Sequence, residues 1–107
     1  MSPYIAHLIG DFILQTDWMA VRKKRSYFAC LIHVLVYLIP FLACDLEWWQ
    51  FALIGVMHFA QDRSAVVWWW MRVWKRVPRE DWGVIPFYVD QSFHLVQIAI
   101  VILLGNI

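Results

Sequence analysis

The chain has 107 residues, 63% of them hydrophobic and 18% aromatic, with a mean hydropathy of +0.59. A soluble domain holds about 45–50% apolar residues, and one this short has too little interior to hide the excess. The composition therefore excludes an ordinary small soluble domain and implies one integral membrane domain. The net charge of +1 identifies no partner and gives no ground for expecting nucleic acid; what informs is where the charges lie.

Four apolar segments follow along the chain, each close to the roughly 20 residues that cross about 30 Å of hydrocarbon. Each is expected to be helical, since a lone strand cannot satisfy its backbone in lipid. The first covers residues 3–21, with Ser2 as N-cap and Pro3 at the first helical position. It carries His7, Asp11 and Gln15 at intervals of four, which stacks three polar groups on one stripe of a helix. It has no basic leader and is interrupted by polar residues, so it reads as a span and not as a cleavable signal. Gly10 suits a close approach to a neighbouring helix.

After the basic run Arg22 to Arg25 comes the second segment, residues 27–44, with His33, Tyr37 and Pro40. Pro40 removes the bond to the Val36 carbonyl and should bend the helix near its end. Cys30 and Cys44 sit 14 residues apart on this helix, about 21 Å along its axis, too far to pair with each other. The third segment, residues 47–72, has Asp45 as a candidate cap and carries His58 and Asp62. Arg72, Lys75, Arg76 and Arg79 follow it, and Pro86 opens the fourth, residues 86–105, with Asp90 and His94.

Both basic connections are expected on the cytoplasmic side and both chain ends outside, because the remaining connection holds only Asp45 and Glu47. The tryptophans agree: Trp48 and Trp49 fall at the outer boundary, and Trp68, Trp69, Trp70 and Trp74 at the inner one, where indoles favour the headgroup region. The basic loops set topology and would also hold anionic headgroups.

The polar residues inside the spans are the functional signal. Ionisable groups near the bilayer centre cost about 2.5–3.5 kcal/mol each on insertion scales, so they must face one another or water. Residues 7–11 and 58–62 read His-x-x-x-Asp on inward-running helices, and residues 90–94 read Asp-x-x-x-His on an outward-running one. The reversal brings His7, Asp11, His33, His58, Asp62, Asp90 and His94 into a band about 14 Å tall. A four-helix bundle can gather such a band into its core. Imidazole and carboxylate from several helices at one depth are the donor set of zinc and of carboxylate-rich two-metal sites. His58, Asp62, His94 and Asp11 are the preferred ligands, with His7 and His33 either joining them or supporting them. Asp90 is the candidate general base. Gln15, Gln61 and Gln91 are candidates for orienting the ligands.

The run "AHLIGDFILQTDWMA", the basic loop, "HVLVY", "HFAQD" and "DQSFH" together resemble a small bacterial and phage membrane family known as domain of unknown function 3307. The resemblance spans nearly the whole chain and falls on His7, Asp11, Gln15, Asp17, His33, His58, Asp62, Asp90, Gln91 and His94. It implies a multi-pass protein of the bacterial inner membrane and no particular activity. The chain departs from the resemblance after "HFAQD", where Arg63-Ser64-Ala65 stands in place of a lysine-bearing R-x-K continuation.

Several functions compete on this reading. The first is a metal-dependent hydrolase with one or two zinc ions, acting on a lipid or amphiphilic substrate, since zinc lowers the pKa of its water to about 7. The second is a proton or ion transporter using the same groups. The third is a structural or regulatory membrane module. A plainer alternative is a buried hydrogen-bond network that only ties helices together. Haem fits poorly, because its ligation asks for imidazoles without the i, i+4 carboxylates. A homodimer would help to enclose the polar core.

Overall fold

A computed structural model describes residues 1–106. Ser2 starts the first helix: its Oγ accepts from the Tyr4 N–H at 3.2 Å, and Pro3 follows. This helix, α1 (Pro3–Leu8), passes into a π-helical turn, Ile9–Ile13, and ends. Thr16 then caps α2 (Asp17–Arg22), its Oγ1 accepting from the Met19 N–H at 3.3 Å. Residues 3–21 are thus two short helices and not one span. The Thr16 hydroxyl offers the backbone a new start in place of continuation.

Ser26 caps α3 (Tyr27–Leu38), which tightens into a 3-10 turn over Ile39–Ala43. The change falls at Pro40, which has no N–H to give the preceding turn. α4 (Trp48–Arg63) begins on a capping box in which Gln50 Oε1 accepts from the Glu47 N–H at 2.8 Å, so Glu47 caps it and not Asp45. It stops at Ser64, whose backbone is extended. α5 (Val66–Trp70) follows, continued by a π-helical turn over Met71–Lys75 that ends at Arg76 in the left-handed region, φ 57°. The segment expected over 47–72 is therefore broken at Ser64 and Ala65. A short 3-10 turn, Arg79–Asp81, leads to α6 (Ile85–Gly105), with Pro86 in its first turn.

The fold is all-α: every regular element among the described residues is helical. The helices alternate in direction. At one end the Met1 ammonium donates to Ala43 O at 3.2 Å, and Met1, Glu47, Gln50 and Gly105 line a shared cavity. At the other, Arg63 Nη1 donates to Lys24 O at 2.8 Å, and Lys24 shares a cavity with Trp68 and Pro86. Both basic stretches consequently sit at one end of the bundle.

The core is divided. Ala6, Tyr37, Phe41, Ile54, Ile98 and Val101 form an apolar cluster, and Val67, Met71 and Val89 a smaller one at the basic end. His7, Asp11, His33, His58, Gln61, Asp62 and His94 are buried as well. Large apolar side chains meanwhile point outward, including Phe28, Leu35 and Leu42 near α3, Val56 on α4, and Val96 and Leu103 on α6. Among the described residues one helix, Ile85–Gly105, is long and apolar enough to cross a membrane; the apolar stretch Tyr27–Ala43 is shorter.

Gly10 positions α1. A Cβ there would lie 2.6 Å from the Tyr37 carbonyl oxygen and 3.0 Å from its Cα, so only glycine lets the two helices meet this closely.

Candidate metal centre

The first segment turns two polar side chains inward, His7 from α1 and Asp11 from the π-helical turn after it, and Gln91 touches both. His7 then has both ring nitrogens engaged elsewhere, Nδ1 with the Tyr37 hydroxyl and Nε2 with Gln91 Oε1, each at 2.8 Å. Asp11 instead faces α3 and α4.

There it meets His33, His58 and Asp62, all four being buried. His33 Nε2 lies 3.1 Å from His58 Nε2, 3.0 Å from Asp62 Oδ2 and 3.3 Å from Asp11 Oδ1. His58 Nε2 lies 2.9 Å from Asp62 Oδ2 and 3.7 Å from Asp11 Oδ1. A tetrahedron with ligand–metal bonds of about 2.0–2.1 Å has edges of about 3.3–3.4 Å. The five distances bracket that value.

A hydrogen-bond network accounts for this arrangement less well. Only one proton fits between the two Nε2 atoms, and Asp11 Oδ1 has no donor in hydrogen-bond geometry among the described residues, while Asp62 Oδ2 has the Lys23 ammonium at 3.2 Å as its ion-pair partner. A buried acceptor left without a donor costs about 1–3 kcal/mol. A cation among the four atoms would satisfy the Asp11 oxygen and touch the Asp62 one as well. The outer nitrogens, His33 Nδ1 and His58 Nδ1, also have no hydrogen-bond partner among the described residues. The His58 ring is held by stacking, with Tyr37 on one face at 3.8 Å between centroids and His94 on the other at 4.0 Å.

Around the tetrad stands a polar ring. His94 Nε2 lies 3.2 Å from Asp62 Oδ1, the oxygen pointing away from the tetrad, and 3.7 Å from Asp90 Oδ2. Asp11, Asp90 and His94 form a second, looser group of potential ligands. Gln91 ties the parts together, Nε2 donating to Asp11 Oδ2 at 3.1 Å and to Asp90 Oδ2 at 3.2 Å. Gln61 Nε2 donates to Asp90 Oδ1 at 2.9 Å, and Gln97 Nε2 to Gln61 Oε1 at 2.6 Å. Gln15 Nε2 donates to the backbone oxygen of Asp11 at 3.3 Å and makes no hydrogen bond to a ligand side chain among the described residues.

Of the residues expected at the site, the structure thus brings Asp11, His33, His58 and Asp62 to one point. His94 and Asp90 lie one carboxylate further out, and His7 is held apart. Sequence reasoning missed Lys23. Its Nζ lies 3.2 Å from Asp62 Oδ2 and 4.0 Å from Asp11 Oδ1, while Lys24 Nζ donates to Asp62 O at 3.2 Å. Burial opposes the Lys23 charge, but the two carboxylates outweigh it and hold the ammonium above the ordinary lysine range. Lys23 supplies a basic group beside the site from a different element than residues 63–65. Within a run of four basic residues, nothing in the sequence distinguishes the one that turns inward.

Charge completes the description. With neutral histidines, the carboxylates of Asp11 and Asp62 at the tetrad outnumber the one ammonium paired with them, that of Lys23, so the tetrad is net negative. A bound cation would offset this; uncompensated buried charge is expensive.

Residues 2–106 match the family described as protein of unknown function, DUF3307, and the chain belongs to that family. Neither a curated protein nor a solved structure matches it.

Proposed function

We propose that this DUF3307 member is a membrane-embedded metal protein that binds one divalent ion, zinc by preference, through Asp11, His33, His58 and Asp62, and hydrolyses an ester or phosphoester bond in a lipid or amphiphile. The observation that carries the reading is the set of four buried donor atoms within 4.8 Å of one another, five of whose separations are 2.9–3.7 Å, with Asp11 Oδ1 lacking a hydrogen bond. Two imidazoles and two carboxylates suit zinc.

The apolar exterior supports lipid as the surroundings, with the basic end facing the cytoplasm and Met1 the opposite side. α1 and α4 are shorter than a full span, so the proposal has them cross together with the helices that continue the chain, breaks included. Irregular backbone at membrane depth is tolerated where protein covers it.

Four protein ligands close a tetrahedron, whereas catalysis needs an open position. Asp11 is the ligand to yield it, because its oxygen is the most distant from both nitrogens, at 3.3 and 3.7 Å. A bound ion would supply a polarised substrate oxygen or an acidified water. Asp90, with 19% of its side chain exposed while the tetrad is buried, takes the proton and can pass it towards His94.

The rival reading, proton transfer, is favoured by the chain of contacts Tyr37, His7, Gln91, Asp90. Gln91 argues against it, because an amide interposed between His7 and Asp90 has no titratable proton. The test is ester and phosphoester hydrolysis by the purified protein in detergent, with and without chelator. Cleavage that chelation abolishes and zinc restores is the expected result. Proton flux into liposomes without cleavage would transfer the reading to transport.

A further inference from the structure

One cavity at the basic end is walled in part by Lys23, which also touches the proposed metal centre. It has a volume of about 180 Å³, and its lining includes Lys23, Lys24, Trp68, Phe87 and Asp90. Lys23 in this wall touches Asp62 Oδ2 at 3.2 Å, and Lys24 touches Asp62 O at 3.2 Å. An occupant is therefore one side chain from the tetrad.

Its chemistry is two-sided. Two ammonium groups stand on one side, and the Arg79 guanidinium lies 5.7 Å from the Trp68 ring at its margin. Asp90 brings the one acidic group, but both of its oxygens already accept from Gln61 and Gln91 amides, which lessens its repulsion of an anion. The other side is apolar: Trp68 and Phe87 are 47% and 49% exposed. The Phe87 ring meets Phe12 edge-on at 5.9 Å, and Phe12 is itself exposed. An apolar track thus leads from the cavity to the lipid-facing exterior. The volume holds a headgroup and leaves a chain outside.

We infer that this cavity binds the anionic phosphate head of a lipid, with its alkyl chain along Phe87 and Phe12, and that it is the substrate site of the proposed hydrolase. The inference rests on the proposed metal-centre reading for its role in catalysis, and on Lys23, Lys24, Trp68 and Phe87 for binding alone.

The test uses the full chain in dodecyl maltoside micelles, with dodecyl phosphate and inorganic phosphate as separate probes followed by phosphorus NMR, and metal content measured on every sample. Saturable binding of dodecyl phosphate, at least tenfold tighter than inorganic phosphate, is expected. Lys24→Met should weaken it at least tenfold. Phe87→Ala should weaken dodecyl phosphate several-fold and leave inorganic phosphate unchanged. Equal affinity for both probes would overturn the lipid assignment in favour of a free anion. Binding that ignores Lys24→Met and Phe87→Ala alike in folded protein, or no binding at all, would overturn the site. A metal-free protein that still binds dodecyl phosphate would remove the metal centre and keep the lipid site; a metal-loaded one that does not bind it would do the reverse.

Discussion

Lys23 Nζ stands 3.2 Å from Asp62 Oδ2, the same oxygen that lies 2.9 Å from His58 Nε2 and 3.0 Å from His33 Nε2. An ammonium and a metal ion would share one carboxylate oxygen at the centre of the proposed site. Like charges this close repel strongly where water is scarce. Lys23→Met is therefore expected to raise zinc affinity by about tenfold or more, measured by competition with a chromophoric chelator. A weaker affinity in the folded variant would mean that Lys23 supports the bound ion.

Protons should compete with the ion. The ligands act as neutral imidazole and ionised carboxylate, so apparent affinity should weaken as pH is lowered from about 8 to about 5 and protons compete for the same atoms. Each ring that must release a proton to bind the ion adds up to about tenfold per pH unit to that slope. Zinc titrations across this range check it; a flat profile would remove His33 and His58 as ligands.

Asp90→Asn should separate binding from chemistry. Asp90 lies outside the tetrad, and the amide keeps its shape, so the ion is retained. Loss of the proton acceptor should lower hydrolysis by about 10²–10⁴-fold, read as initial rate beside metal content. Undiminished turnover would assign the base elsewhere, with His94 next in line at 3.2 Å from Asp62 Oδ1.

Gly10→Ala tests the fold that holds Asp11. A methyl group 2.6 Å from the Tyr37 carbonyl oxygen must push α1 away from α3, a cost of about 1–3 kcal/mol for overpacking. The expected outcome is a lower unfolding midpoint in detergent together with weaker metal binding. An unchanged midpoint would show that the helices are not in such contact.

Much of this was legible in the sequence, for physical reasons. The rarity of ionisable groups in apolar segments singled out the His and Asp residues, and i, i+4 spacing correctly placed His58 and Asp62 on one face, 2.9 Å apart. Capping chemistry found Ser2 and the role of Pro86. For His7 and Asp11 the same spacing turned both residues inward, but Tyr37 and Gln91 occupy the two His7 ring nitrogens, and spacing alone does not reveal such partners. Thr16 and Ser64, which interrupt the first and third segments, are short polar residues whose competition with the helix is settled by tertiary context. Lys23 was invisible because charge runs are ordinarily solvated, and no local pattern tells which lysine is drawn inward by buried carboxylates.

The central claim is that four side chains from three helical segments hold one ion. Elemental analysis of protein purified without chelators tests it most directly, alongside His58→Ala and Asp62→Asn variants verified as folded by circular dichroism. The account expects one zinc per chain in the natural sequence and almost none in either variant. A metal-free natural protein that also fails to take up zinc, or variants that retain the full complement, would contradict it.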